Sequence, residues 1–550
     1  MQTGASGRQP AREKHPGRGF LWGLLVAAVL VQLPGLEAPL LDGAAGKQAH
    51  SAMIARNFIR GRGTFLRPVV DDAGKPGYFV KEAPLVPATV AALHHLSGLP
   101  LDLCGRAFSL AIWLLGAPLL THLLRFSSPS LIPVAFGFYL FSPLALAYSV
   151  SFQNDAAAVV ASLLALNLAA RWRRHPSLGR AVGLASAVAL SLLLKPHAIL
   201  WLGPALARLA RPPFEPSLPA RSAAPGALLR LGFTLALAAV PVGAWYLHAF
   251  AIHARYPVAG AMVPGGWVDP ALWLDSALYL ELARQVFSMV LTPTGALLCG
   301  FGLIAAARRP TALPPELQAL LLWSLGVLVQ SWFLGTRLFD GLARGTEYYQ
   351  LALVPGLAPF VALGWTSFTA AIGGNKFRLL VQASLLATFA GFALPAARAA
   401  RTAPESYAVL PELCAEVRRH TPPHAELLLL ADRAGAVLYE CDRRGTALVA
   451  GRAVHPHLVS DENKVPTDTL ATLLRGAHAV LLPFPDLLPR GEPLRESLET
   501  GWQRIPLGQT GGLLFKPIPA GDVVTSPRSP APALEPETQA AKSTLVIPVR

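Results

Sequence analysis

The feature that most restricts this chain is its repeated long apolar stretches. Eleven occur, at 20–33, 107–124, 131–148, 156–170, 178–194, 196–210, 229–247, 286–306, 317–335, 350–370 and 378–395. A helix needs about 17–25 residues to cross a bilayer's hydrocarbon layer. Only 14% of the 550 residues are charged, against about 25% in soluble domains. This excludes an ordinary soluble enzyme, a disordered chain and a module that grips nucleic acid by surface charge. The fold class expected is a multi-pass α-helical membrane protein with about eleven transmembrane helices.

Charge orients it. The first stretch follows Arg8, Arg12, Lys14 and Arg18. No convincing small-x-small cleavage site follows it, so it reads as a membrane helix behind a cytoplasmic tail, residues 1–19, rather than a signal peptide. The alternate loops 1–19, 125–130, 171–180, 208–230, 307–316 and 373–378 then hold seventeen Lys and Arg and three acids. The short opposite loops 149–154 and 336–349 hold two basic residues. This is positive-inside asymmetry, and much of the net charge of +15 records topology. An odd number of crossings puts the C-terminal region outside.

The outside regions 37–106, 249–285 and 396–550 are too long to be turns. Tyr407–His420, Ala434–Glu440 and Thr467–Leu474 read as helices. Strands are expected at Glu426–Ala431, Ala447–Ala450 and Ala477–Leu482, then a helix and hairpin through 494–517. This makes 396–518 a small outer-face α/β domain, and the composition of 519–550 marks a disordered tail. Cys414 and Cys441 share a polar region and form a candidate bridge, while Cys104 and Cys299 lie in or beside apolar stretches.

No Walker loop, GxGxxG, HExxH or paired CxxC occurs. His94 and His95 would point about 100° apart on a helix and make a poor metal pair. In the first loop, Lys47, His50, Ile54 and Asn57 share one face of an expected helix. It could present polar groups to an anionic head group, or lie in the interface as a plain amphipathic helix. Arg56 and Arg60 could anchor the loop to phospholipid. Asp155 could cap its helix, Lys195 could snorkel, and Tyr348 and Tyr349 could belong to an interfacial belt.

The order of several short motifs resembles the polyprenyl-phosphate-dependent membrane glycosyltransferases of GT-C type. These are the protein mannosyltransferase and aminoarabinose transferase group, with the rhizobial galacturonosyl transferases. The matching pieces are Gln48–Phe58, Lys81-Glu-Ala-Pro-Leu85, Arg106, Gln153-Asn-Asp155, Lys195-Pro196 and Glu347-Tyr-Tyr349. They span about residues 20–395.

The resemblance implies a GT-C-like catalytic domain over 20–395 that moves a sugar from a polyprenyl-phosphate donor to an envelope glycan, lipid or protein. It implies a bacterial inner-membrane enzyme whose site faces the periplasm, with membrane lipids but no nucleic acid as partners. Asp42 is the expected catalytic base, with Glu82 in reserve and Asp155 a third choice. Lys195 with Arg56 or Lys81 would meet the phosphate; Lys47, His50, Asp155, Glu347, Tyr348 and Tyr349 complete the expected substrate-binding set. No cofactor is implied with certainty, and a divalent metal is left open. One departure stands out: the family sets an acid in or beside the first-loop helix, where this chain has Lys47, Gln48 and His50. A lipid-linked saccharide flippase, or a silent lipid-binding relative, are the competing readings. In a bacterial host, a phosphatase reporter fused after Arg550 is expected to be active and a fluorescent-protein reporter dark; the reverse pair would refute this orientation.

Overall fold

The computed structural model describes residues 18–125, 128–210, 224–256, 270–308, 313–334, 347–403, 405–431, 434–449, 452–453, 473–484 and 493–518. The expectations for 1–17, for most of the Thr467–Leu474 helix and for 519–550 lie outside them. The helices begin α1 (Arg18–Leu36), α2 (Ala45–Ile59), α3 (Leu85–Ser97), α4 (Leu101–Leu124) and α5 (Ile132–Phe141). Next come α6 (Pro143–Tyr148), α7 (Asn154–Arg174), α8 (Leu178–Leu194), α9 (Ile199–Ala210) and α10 (Ala224–Arg255). The membrane portion ends with α11 (Ser276–Gln285), α12 (Thr292–Ala307), α13 (Pro315–Phe333), α14 (Leu353–Ala370) and α15 (Asn375–Arg401).

Among the described residues, seven helical runs are long and apolar enough to cross a membrane. They are α1, α4, α7, Gly232–Arg255 of α10, the run Ser276–Ala307, α14 and α15. The sequence suggests about eleven crossings; of the other four stretches, three form shorter or broken helices, and the fourth forms α13, an unbroken helix of 19 residues. The 131–148 stretch divides at Ser142, because Pro143 cannot donate to the turn before it and Ser142 Oγ accepts from Ala145 N at 3.3 Å, opening α6. Pro196 forces Lys195 into extended backbone (φ −154°, ψ 104°), which ends α8 and leaves α9 only 12 residues.

Exposure identifies the lipid-facing helices. Trp22 and Leu30 on α1, Phe233 and Leu247 on α10, and Leu379, Leu380 and Phe392 on α15 stand exposed. That much uncovered apolar surface suits hydrocarbon, not water. Inside the bundle, α12 and α14 cross at glycines. A Cβ on Gly302 would lie 1.9 Å from Phe360 O, and one on Gly364 1.7 Å from Leu298 O. Only glycine permits this backbone approach.

The tail builds a sheet from β1 (Glu426–Leu430), β2 (Arg444–Val449), β3 (Arg452–Ala453), β4 (Ala479–Leu482), β5 (Trp502–Leu507) and β6 (Gly512–Pro517). The spatial order is β3-β2-β1-β4-β6-β5, with β1 parallel to β2 and β4 and the outer pairs antiparallel. Alternation divides β1 between two cores. Leu427 and Leu429 pack toward α16 (Leu410–His420) and α17 (Ala434–Cys441); Leu428 and Leu430 pack toward α18 (Pro493–Gly501). Cys414 and Cys441 are joined by a disulfide between α16 and α17.

The first loop shares the tail's core. Leu41, Ala45, Ala49, Met53 and Phe79 belong to the same buried cluster as Leu413, Val437 and Leu481. Helix α2 is therefore not an amphipathic helix in the membrane interface. Ala45, Ala49, Ala52 and Ala55 are fully buried, and these small side chains let neighbouring elements close over the helix from two sides. Arg56 and Arg60 likewise turn to protein rather than phospholipid. Arg56 reaches Asp71 Oδ2 at 2.8 Å and Tyr439 O at 2.9 Å, while Arg60 grips both oxygens of Asp442 at 2.7 and 2.9 Å. Asn57 donates to Asp71 Oδ1 at 3.2 Å.

Asp71 is 1% exposed in its side chain and Arg56 13%, so removing one partner strands a buried charge. Asp71→Ala is expected to cost about 3–5 kcal/mol. Arg60→Ala, breaking a pair 35% and 39% exposed, should cost about 0–1 kcal/mol. Thermal unfolding of the detergent-purified protein checks this; equal losses would refute the ranking.

Candidate active site

Three local features aim charged groups at one point where α7 begins and α8 ends. The extended turn at Lys195 carries its side chain off the end of α8. Asp155 lies in the first turn of α7, where a carboxylate suits the helix dipole. Gln153 occupies the cap position, leaving Asp155 for other partners. The Lys81–Pro84 segment docks by Ala83 N donating to Leu193 O at 2.9 Å, and Trp245 Nε1 on α10 donates to Lys81 O at 2.8 Å. This sets Glu82 beside Lys195.

The resulting cluster is compact and buried. Lys195 Nζ lies 2.7 Å from Asp155 Oδ1 and 3.9 Å from Glu82 Oε1, and Lys47 Nζ lies 3.0 Å from Asp155 Oδ2. Tyr348 and Tyr349 lie beneath both ammonium groups. Lys47 Nζ is 4.4 and 5.6 Å from their ring centres, and Lys195 Nζ 5.6 and 5.2 Å. Such faces stabilise desolvated cations. Lys195 is therefore not snorkelling, and the two tyrosines are not a lipid-facing belt.

Burial would pull Lys47 down, but the charges of Asp155 and Glu82 outweigh it and hold the amine above its ordinary range. Burial pushes Glu82 up, yet Lys195, Lys47 and Lys81 together keep its carboxyl below the usual range. Both groups are thus charged at neutral pH. Lys47 keeps some access to the surface, at 23% side-chain exposure against 2% for Lys195.

Asp42 belongs to an adjoining network. It accepts from Arg106 Nη2 at 3.1 Å, from Gln48 Nε2 and from Ala44 N at 3.2 Å. Gln48 Oε1 in turn accepts from Phe152 N at 2.9 Å, tying α2 to the segment before Asp155. Glu347, also buried, accepts from Tyr148 Oη at 3.0 Å. Lys81 lies over the ring of Phe79 at 4.7 Å, and His50 Nε2 meets Asp72 Oδ2 at 2.7 Å. The structure therefore brings together Lys47, Glu82, Asp155, Lys195, Tyr348 and Tyr349, and turns Arg56 toward Asp71. Sequence reading missed Gln48, Asp72 and His197 in these settings. His197 contacts the rings of Tyr349 and Trp201 at 6.0 and 5.8 Å; for Asp72, the adjacent Asp71–Asp72 pair was the visible signal.

A divalent cation does not fit this donor set. Each oxygen of Asp155 faces an ammonium group, Glu82 faces a third contact from Lys195, and among the described residues no three His, Cys, Asp or Glu side chains converge. Mn2+ titrated against the purified chain is expected to keep its free-ion EPR spectrum. A loss of signal abolished by Asp155→Asn would overturn this.

No family model matches the sequence, and no curated protein matches it. Solved structures do. ArnT from Cupriavidus metallidurans bound to undecaprenyl phosphate superposes with a TM-score of 0.59 at 13% identity, over 92% of this chain and 99% of that one. Its apo state gives 0.61 at 14% identity, over 90% and 97%. The mycobacterial arabinofuranosyltransferase AftD gives 0.53 at 14%, over 90% of this chain and 39% of that one. This likeness shows the fold: the chain is a multi-pass membrane protein with the helical architecture of the GT-C glycosyltransferases.

Proposed function

We propose that the chain is a glycosyltransferase that moves a hexose or pentose from a polyprenyl-phosphate carrier to a glycan, lipid or protein of the cell envelope. The observation that carries this is the buried Lys47–Asp155–Lys195 cluster, in which two ammonium groups share one carboxylate and Lys47 keeps access to the surface. The fold is shared with an enzyme solved with undecaprenyl phosphate bound. Charge distribution supports a cytoplasmic N-terminus. The Cys414–Cys441 bridge suits an oxidising outer side, so a bacterial inner membrane with a periplasmic site is the reading adopted.

The chemistry follows from the geometry. The lipid tail stays in hydrocarbon while its phosphate rises to the cluster. An acceptor oxygen bonds to the anomeric carbon as the bond from that carbon to the phosphate oxygen breaks, and the electron pair leaves with the phosphate. Negative charge on the departing phosphate grows during this step. A preorganised cation in a low-dielectric site stabilises it more than it stabilises the ground state. Lys47, the more accessible ammonium, meets the phosphate; Lys195 holds Asp155, which fixes Lys47. Removing Lys195 would loosen that arrangement, and removing Lys47 would delete the contact.

Purified protein in lipid nanodiscs with labelled polyprenyl-phosphate sugars tests the reading. Transfer is expected, falling about 100–1,000-fold in Lys47→Ala and at least tenfold in Lys195→Ala. Movement of the lipid-saccharide across vesicles without transfer would instead establish a flippase. Lipid binding with no transfer for any donor would establish a silent relative.

A further inference from the structure

The attacking hydroxyl must lose a proton, and the carboxylates of the cluster are poorly placed to take it. Both oxygens of Asp155 face ammonium groups. Asp42 is occupied by Arg106, Gln48 and Ala44 N. Glu82 is held in its weakly basic form by the neighbouring lysines. An imidazole lies close by on the same helix. His50 is three residues after Lys47, and residues so spaced have Cβ atoms about 5–6 Å apart on a helix surface.

His50 is set up as one half of a dyad. Its Nε2 lies 2.7 Å from Asp72 Oδ2. Asp72 is buried, 7% exposed in its side chain, while His50 keeps 30% exposed. A carboxylate only accepts, so Nε2 carries a hydrogen, and in the neutral ring the lone pair is on Nδ1. The ring packs on Phe79, with centroids 4.7 Å apart, and the Lys81 ammonium lies 4.7 Å from the other partner's ring centre, next in chain to Glu82. One wall thus runs from Lys195 through Glu82, Lys81 and Phe79 to His50. From the tail, Gly435 closes on the pair: a Cβ there would lie 2.8 Å from Asp72 Oδ2 and 3.3 Å from His50 Nε2. Among the described residues, these contacts place Asp72 from the loop, Lys81 across Phe79 and Lys47 one turn back along α2 around the imidazole.

We propose that His50, oriented by Asp72, is the proton acceptor of the transfer reaction, supplying the function that the first-loop helix lacks as a carboxylate. The inference rests on the glycosyl-transfer reading above. In the step, the acceptor O–H proton passes to His50 Nδ1 while the acceptor oxygen bonds to the anomeric carbon. The phosphate leaves with the electron pair, and Asp72 stabilises the imidazolium formed.

Transfer by full-length protein in nanodiscs is compared for wild type, His50→Ala, His50→Gln, Asp72→Asn and Asp42→Asn, with undecaprenyl phosphate binding measured on each. Expected are a kcat loss of about 100–10,000-fold in both His50 variants, unchanged lipid binding, and partial recovery of His50→Ala by added imidazole. Asp72→Asn should lose about tenfold or more in kcat and shift the pH profile. Retained kcat in His50→Gln with loss in Asp42→Asn would overturn the proposal and return the role to Asp42. Loss of kcat together with lipid binding, without imidazole rescue, would also overturn it, as a packing role. No transfer by wild type with any donor refutes the parent reading, which the active wild type with an active His50→Gln would not.

Discussion

The architecture depends on burying unlike charges together where α7 begins and α8 ends. Taking an ammonium group out of water is costly, several kcal/mol even after relaxation. Lys195 is 2% exposed at its side chain, yet it is paid for by Asp155 at 2.7 Å, Glu82 at 3.9 Å and the faces of two tyrosines. Three separate backbone events make this convergence: the break at Pro196, the start of α7 and the docking of the Lys81–Pro84 segment on α8. None of the groups is stable in its place without the others, so the site and the fold of this region are one structure.

A second constraint lies further out. Helix α2 carries Lys47 toward the spans, His50 toward Asp72 and the tail's Gly435, Asn57 toward the loop's Asp71, and Arg56 and Arg60 toward the tail. Its alanines allow the tail to close over it, and Asp71 is gripped from the loop and approached by Arg444 of the sheet at 3.8 Å. The outer sheet therefore acts as a backing plate for the first loop. The disulfide joining α16 to α17 fixes the helix from which Tyr439 O accepts and on which Gly435 presses against the dyad. Tyr439 also donates to Asp102 at the start of α4, linking sheet and membrane bundle directly.

Much of this was legible in sequence because it is written locally. Apolar length, a proline after Lys195 and the unbroken run of leucines in 427–430 act within a few residues of themselves, where bilayer thickness, backbone sterics and strand pleat apply directly. Lys195, Asp155, Glu82 and the Tyr348–Tyr349 pair were recognisable from their positions at stretch ends. Arg56 was misleading for the same reason: a cation on an outer loop looks alike whether it meets a lipid phosphate or a carboxylate fifteen residues on. Serine before proline at 142–143 was a visible break whose consequence, two helices for one stretch, was not drawn from length alone.

The sequence by itself determined a membrane-embedded helical chain, a charge asymmetry between its alternate loops and a short list of charged residues too costly to bury idly. Tertiary structure alone decided their pairing. Lys47 meets Asp155 across more than a hundred residues, His50 finds Asp72, and α2 is buried under the tail rather than laid on lipid. Pairing is a matter of which ends of which helices arrive at one place, and no local pattern encodes a distance between segments far apart in the chain.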